Sequence, residues 1–171
     1  MASPASRSEG VANGGRLYLQ FRLGADRYAL DVHEIAEVLP LTRFKQVPEA
    51  PAWVAGLYSH RGELLPVLDL SVVACGRPSP RLTSTRLVLV DYRFAGNGPL
   101  RRLGLILEQA SQTLRRDPAA FREYGLERGE ARYLGPVMVD SEGLLQRVQV
   151  DELLPDHVRE SLLQNAEAEQ P

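Results

Sequence analysis

Apolar residues in this chain recur mainly at every second position, in short runs separated by glycine, proline, asparagine and aspartate. Between residues 17 and 23, Leu17, Leu19, Phe21 and Leu23 alternate with Tyr18, Gln20 and Arg22, the period of a strand with one buried face. Gly24-Ala25-Asp26 turns the chain, and residues 27–30 return beside it. Asp31 with Glu34 three positions later resembles an N-terminal cap. It predicts a short helix that turns Val32, Ile35 and Leu39 inward and ends at Pro40. Pro48 and Pro51 then impose an extended approach to Trp53.

The strongest local signal follows. Residues 54–58 and 63–68 are two apolar runs of strand length, and the polar step between them ends in Arg61-Gly62, so they read as a hairpin with an arginine at its turn. Residues 71–74 suit one helical turn and 76–80 a surface loop. A second strand pair spans 85–92 and 100–107. Leu87 and Leu89 alternate there with Val88 and Val90, as in a strand packed on both sides. Residues 117–125 read as a short capped helix, with Pro118 at its first position and Gly125 at its end. A third hairpin, 133–139 with 144–150, surrounds Asp140-Ser141-Glu142-Gly143. Beyond it, Leu153, Leu154, Val158, Leu162 and Leu163 have helical spacing. Many short strands with brief helices predict a mainly β, barrel-like architecture, and no repeat is visible at the level of residues.

Composition narrows the functional classes. A chain of 171 residues with 44% apolar and 25% charged residues suits one globular module. No apolar run approaches the roughly 18–20 residues of a spanning helix, and residues 1–15 lack the apolar block of an export signal. The expected compartment is the cytoplasm, and residues 1–15 are expected to be a disordered tail. The single cysteine, Cys75, has no internal disulfide partner. A net charge of −2 supplies no field for nucleic acid or anionic lipid. Lys45 is the sole lysine, and neither a phosphate-binding Gly-Lys-Ser/Thr loop nor a receiver's acidic cluster and lysine can be assembled around it.

Candidate chemistry is sparse. Asp69 follows an apolar strand, where a turn or capping role outweighs catalysis. His33, His60 and His157 lack cysteine or histidine neighbours at ligand spacing, and a surface position is the default for His60. Cys75 reads as a small packing residue, and Trp53 as core or as an interface anchor. A hydrolase built on Asp69, His60 and Cys75 matches no known triad spacing. No catalytic residue, metal or cofactor is expected. The alternative function weighed is a small β-barrel nucleic-acid-binding module, which needs a basic stripe with stacking aromatics. Arg101-Arg102 and Arg115-Arg116 offer little of that.

Several segments, taken in order, resemble the CheW-like coupling proteins of bacterial chemosensory systems. They are Phe21-Arg22-Leu23-Gly24, Tyr28-Ala29-Leu30-Asp31-Val32, Ile35-Ala36-Glu37-Val38, Val47-Pro48, Pro51-Ala52-Trp53-Val54-Ala55-Gly56, Arg61-Gly62 and Leu65-Pro66-Val67-Leu68-Asp69-Leu70. Leu87-Val88-Leu89-Val90, Leu103-Gly104-Leu105-Ile106-Leu107 and Val150-Asp151-Glu152-Leu153-Leu154 resemble the family's later strands and closing element. The resemblance implies two SH3-like five-stranded β-barrels sharing a hydrophobic core, with short helices and a C-terminal helix. In that organisation residues 16–155 form two interleaved barrel subdomains, and 156–171 a helix and frayed end. It further implies a non-enzymatic adaptor between the cytoplasmic signalling tip of a chemoreceptor and the regulatory domain of a CheA-type histidine kinase, located at membrane-associated receptor arrays. Receptor contacts would fall on Ile35, Glu37, Arg61 and Gly62, with Arg61 pairing with Glu37. Kinase contacts would fall on exposed barrel ends, at residues the resemblance does not specify. An exposed edge along 85–92 would allow assembly with other CheW-like proteins. Two departures stand out: the usual Asn-Leu before Arg-Gly is Ser59-His60 here, and the loop at 96–102 is longer than in the family.

Overall fold

The computed structural model describes residues 15–93, 98–127, 129 and 131–154. The expected tail, apart from Gly15, and the helix expected over 156–171 lie outside the described residues. In chain order the strands are β1 (Arg16–Leu23), β2 (Asp26–Asp31), β3 (Ile35–Pro40), β4 (Val54–His60), β5 (Glu63–Asp69), β6 (Arg86–Arg93), β7 (Leu100–Arg116), β8 (Leu134–Asp140) and β9 (Gly143–Val148). One helix, α1 (Leu70–Cys75), follows β5. None of the described helices is long and apolar enough to cross a membrane.

Strand β7 belongs to two barrels. Its first half pairs antiparallel with β6 and, at Gly104 to Ile106, parallel with β5. Its second half pairs antiparallel with β1. The first barrel comprises β1, β2, β9, β8 and the second half of β7; the other comprises β3, β6, the first half of β7, β5 and β4. Short main-chain bridges close each seam. Arg122 and Val137 exchange hydrogen bonds of 2.8 and 2.9 Å in one barrel, as do Lys45 and Leu57 in the other. Gly56 makes the second closure sterically feasible, because a Cβ there would stand 2.4 Å from the Lys45 carbonyl oxygen.

The barrels share one order of strand pairing, which their sequences conceal. Hairpin β4–β5 corresponds to β8–β9, and the parallel pair β5–β7 to β9–β2. Asp69 N–H donates to the Trp53 carbonyl at 2.9 Å, and Gln149 N–H to the Tyr133 carbonyl at 2.7 Å, in equivalent places. Each barrel has its own lumen, one filled by Tyr18, Ala29, Leu114, Phe121, Met138 and Leu145, the other by Leu65, Val67, Leu87, Leu89 and Ile106. A larger cluster, including Phe21, Leu30, Leu68, Val88, Val90, Leu103, Leu105 and Val148, draws on both barrels.

This arrangement corrects several local expectations. Asp31 does cap a turn, since its Oδ1 accepts from His33 N–H at 2.9 Å, but the turn ends after Val32–Glu34 and the chain continues as strand β3. Val32, Ile35 and Leu39 fit helical spacing, yet only Val32 lies in the turn, and pairing of Ile35 and Leu39 with β6 outweighs that weak local preference. Tyr18 and Gln20 are buried, not solvent-facing. β1 is a wall between a barrel lumen and the common core, so both its faces are covered; Tyr18 packs on Phe121 at a ring distance of 5.3 Å. The helix expected over 117–125 is reduced to one turn, Pro118–Ala120, capped by Asp117. β6 has no free edge, because β3 and β7 flank it, so it is not the site for edge-to-edge assembly. Cys75 is exposed instead of packed.

A charged cluster ties the β8–β9 hairpin to the first barrel. The Arg27 guanidinium, 5% exposed, grips Asp140 in bidentate fashion and also reaches Gln20, Glu142 and the Gly143 carbonyl. Arg116 Nη2 approaches the same carboxylate at 3.1 Å. Burial alone would raise the Asp140 pKa, but hydrogen bonds from Arg27, the Glu142 N–H and Arg116 outweigh it and bring the pKa down to about 2. The stabilisation is therefore complete above the unfolded-chain value near 4 and fades as pH falls towards 2. Asp140→Asn should flatten that part of an acid-unfolding profile. It should also cost on the order of 3 kcal/mol at neutral pH, measured by urea unfolding, because it strands a buried guanidinium.

Candidate functional site

The β4–β5 hairpin connects through two residues, Arg61 and Gly62, with φ of +50° and +82°. Positive φ at both central positions is the type I′ geometry, whose twist matches the flanking strands and which favours Asn-Gly or Gly-Gly. Arginine in the left-handed region is costly, roughly 1–2 kcal/mol relative to a residue at ease there. Its side chain is 80% exposed. No packing contact accounts for an arginine here, and a strained, exposed cation is a reason to look for recognition.

What stands beside it is Glu37. The register of β3 against β6 slips between Ile35 and Glu37, a bulge that re-aims the strand. Ile35 packs against the common core opposite Val90, whereas Leu39 packs into the barrel lumen. Glu37 lies between them and points across the open part of the seam towards the end of β4. Its Oε2 is 3.9 Å from Arg61 Nη2, so the expected pair forms, but loosely. The closer partner is His60, whose Nε2 lies 3.0 Å from the same oxygen.

His60 is buried, which corrects the expectation of a surface histidine. It stacks on Tyr58 at 5.9 Å, and Tyr58 in turn meets Phe44 edge-on at 6.3 Å. Alternation along β4 contained this signal, since Tyr58 and His60 sit on opposite faces from Ser59. The four residues expected to contact a partner are thus distributed unevenly: Glu37, Arg61 and Gly62 converge at one rim, with His60 added, and Ile35 serves the core side of the same strand.

The remaining candidates have structural duties. Asp69 caps α1, accepting from Ser71 N–H at 3.1 Å, and takes two further hydrogen bonds from Ser79. Ser71 Oγ donates to Glu108. Asp91 pairs with Arg102 at 3.1 Å. Trp53 packs against the common core. Asp69 and His60 are committed to different partners, so no triad with Cys75 is assembled. An open crevice of about 570 Å³ lies where the turn before β3 meets the end of β9, lined by Glu34, Asp91, Arg93 and Arg147 among others. Burial raises the Glu34 pKa there, against the opposing pull of Arg147. Charges of both signs face it. Among the described residues no group of three or more His, Cys, Asp or Glu side chains is placed to hold a metal ion.

Comparison with known proteins gives a consistent result. The family model described as CheW-like domain matches residues 17–158. The chain is 27% identical over 156 residues to the chemotaxis protein CheW of Rhizobium meliloti, covering 88% of this chain and 95% of that one. It is 35% identical over 78 residues to protein PilI of Pseudomonas aeruginosa, a stretch that covers 44% of each chain. The crystal structure of the scaffolding protein TtCheW from Thermoanaerobacter tengcongensis superposes with a TM-score of 0.67 at 16% identity, over 82% of this chain and 89% of that one. The two SH3-like barrels are therefore shared with a solved structure.

The turn geometry has a measurable consequence. Arg61→Asn should raise stability by up to about 1 kcal/mol in chemical denaturation, since asparagine tolerates the left-handed region and the lost ion pair is exposed. A destabilised variant would show that the arginine supports the fold.

Proposed function

Because the chain belongs to the CheW-like domain family, we propose that it is a non-enzymatic adaptor coupling chemoreceptors to a CheA-type histidine kinase in a chemosensory array. The observation that carries this reading is the rim at Glu37, Arg61 and Gly62. It holds an exposed guanidinium in a strained turn beside a half-exposed carboxylate. Such a pair contributes only about 0–1 kcal/mol to stability. Its use lies in binding, where a planar fork and a carboxylate acceptor can meet polar groups on a receptor helix bundle.

A coupler needs a second surface. The far barrel supplies one: Val139 and Leu144 face each other across the β8–β9 hairpin, 73% and 66% exposed. A cross-strand apolar pair left in water is a docking feature more than a folding one, and it suits the barrel pair of a kinase regulatory domain. The adaptor would work in the cytoplasm at membrane-associated receptor arrays, in a motility pathway or a related one such as surface sensing. Coupling of about 1–3 kcal/mol between the two partners is enough to shift affinities several-fold to a hundredfold.

Isothermal titration against a soluble receptor signalling-tip fragment and against an isolated kinase regulatory domain separates the two surfaces. Arg61→Ala should weaken tip binding about tenfold while leaving thermal stability and kinase binding unchanged. Val139→Asp should do the reverse, abolishing kinase binding and sparing the tip. A wild-type chain that binds neither fragment would overturn the adaptor reading.

A further inference from the structure

Both barrels contribute walls to the open crevice of about 570 Å³, the first through the turn before β3 and the end of β9, the second through β6. Four carboxylates, Glu34, Asp91, Asp151 and Glu152, line it against two guanidinia, Arg93 and Arg147. Asp91 is taken by Arg102, and Asp151 accepts from the Arg93 N–H at 3.0 Å. Glu34 is less well served. Among the described residues the one cation it contacts is Arg147, whose Nη2 lies 3.5 Å from Oε1 and is shared with Asp31 at 3.7 Å. Asp31 holds a closer cation as well, Arg16 at 3.0 Å, and its Oδ1 meets the His33 ring. A single guanidinium nitrogen at long range thus serves two carboxylates. Burial, with the charges of Asp31 and Asp151, outweighs Arg147 and raises the Glu34 pKa.

We infer that this crevice receives a basic side chain, an arginine or a lysine, from the receptor signalling tip, with the Glu34 carboxylate as its acceptor. This rests on the adaptor reading and states a chemical requirement on that partner. An excess of carboxylates over guanidinia favours a cation over an anion. Pockets for small molecules are enclosed and mostly apolar. This one is open and lined mainly by charged and polar side chains, which suits a side chain carried by a larger partner. Position points to the receptor. Glu34 immediately precedes β3, and its Cα is no more than about 11 Å from that of Glu37 on the same strand, the length of two helical turns. Residues 155–171 of this chain begin three positions after Glu152, but they carry Asp156, Glu160, Glu167 and Glu169 against Arg159. Like charge speaks against them as the occupant. An incoming cation would supply what Arg147 supplies only in part. The carboxylate form that burial disfavours would then be favoured, and the proton fraction Glu34 carries would be released on binding.

The test titrates the full chain against the soluble signalling-tip fragment. Glu34→Gln should weaken tip binding about tenfold, the scale of a hydrogen bond between charged groups, and leave binding to the kinase regulatory domain unchanged. Its thermal stability at neutral pH should hold or rise. A folded-state pKa above the unfolded one means that the ionised carboxylate opposes folding, and glutamine removes that charge. Each arginine and lysine of the fragment is then replaced by glutamine in turn. One of these changes should cost about as much as Glu34→Gln and add less than twofold to it in combination. Just above the ordinary glutamate value of about 4.3, wild-type binding should release protons, read from titrations in buffers of different ionisation enthalpy, and Glu34→Gln should release fewer. Unchanged tip affinity in Glu34→Gln, a loss of kinase binding or thermal stability alongside weaker tip binding, fragment changes that are all additive with it, or equal proton release would each overturn the inference. The adaptor reading survives those outcomes as long as wild type binds the tip and Arg61→Ala weakens that binding. A wild-type chain that ignores the tip overturns both.

Discussion

Seventeen residues of one strand, Leu100–Arg116, must satisfy two barrels at once. The first half of β7 has neighbours on both edges, β6 and β5, and the second half turns to meet β1. Between them Gln109 adopts φ of +49°, the local irregularity that lets the strand leave one sheet and enter the other. The two barrels are thereby joined through main-chain hydrogen bonds, not a linker. Their common core reinforces the join. Exposing side chains such as Phe21, Leu30, Leu103 and Leu105 would cost about 1.5–3 kcal/mol each, and together they exceed the roughly 1–3 kcal/mol typical of coupling between binding sites. Relative motion of the barrels is too expensive to carry a signal of that size. Under the adaptor reading, information has to enter and leave through side chains at the rims of a rigid body.

That conclusion makes the rims worth comparing. Both seams are closed at one end by a main-chain bridge and at the other by a charged contact, yet evolution has filled the charged contact differently. In the first barrel it is a cluster around a buried Arg27, with both Asp140 carboxylate oxygens engaged, whose value is stability. In the second it is Glu37 with His60, next to an arginine that strains its own backbone. The same topological position thus serves folding in one barrel and is left available in the other. Strain tolerated at an exposed turn, without any buried contact to compensate it, belongs to recognition more readily than to folding.

The sequence revealed the hairpins well, because period-two alternation and a two-residue polar turn are local signals. It revealed Glu37 and Arg61 as candidates through family likeness, and their proximity follows from β3 and β4 flanking one seam. Three features were hidden. The burial of Tyr18 and Gln20 depends on a second barrel beyond the face that alternation marks as polar, which no local window contains. Ile35 and Leu39 satisfy helical spacing and strand membership equally, and only pairing with β6 decides. The contact of His60 with Glu37 was hidden because the two lie 23 positions apart across a seam, although alternation along β4 marks the burial of His60. The shared pairing order escaped for a related reason: the chain enters the second barrel at β3 and returns to the first within β7, so equivalent strands are permuted in order.

Under the adaptor reading, rigidity also bears on how one small protein would serve two partners. Glu37 and Arg61 belong to the second barrel, and Val139 and Leu144 to the first. Ligands on separate barrels need not compete. Once one is bound, the other encounters its site at a distance and orientation set by β7, and a fixed spacing removes the orientational entropy that a flexible tether would have to lose on the second binding event. Weak rim contacts then suffice for a stable assembly. Under that reading a scaffold gains more from keeping its two surfaces fixed relative to each other than from strengthening either, and the largest cluster of buried side chains among the described residues is the one both barrels share.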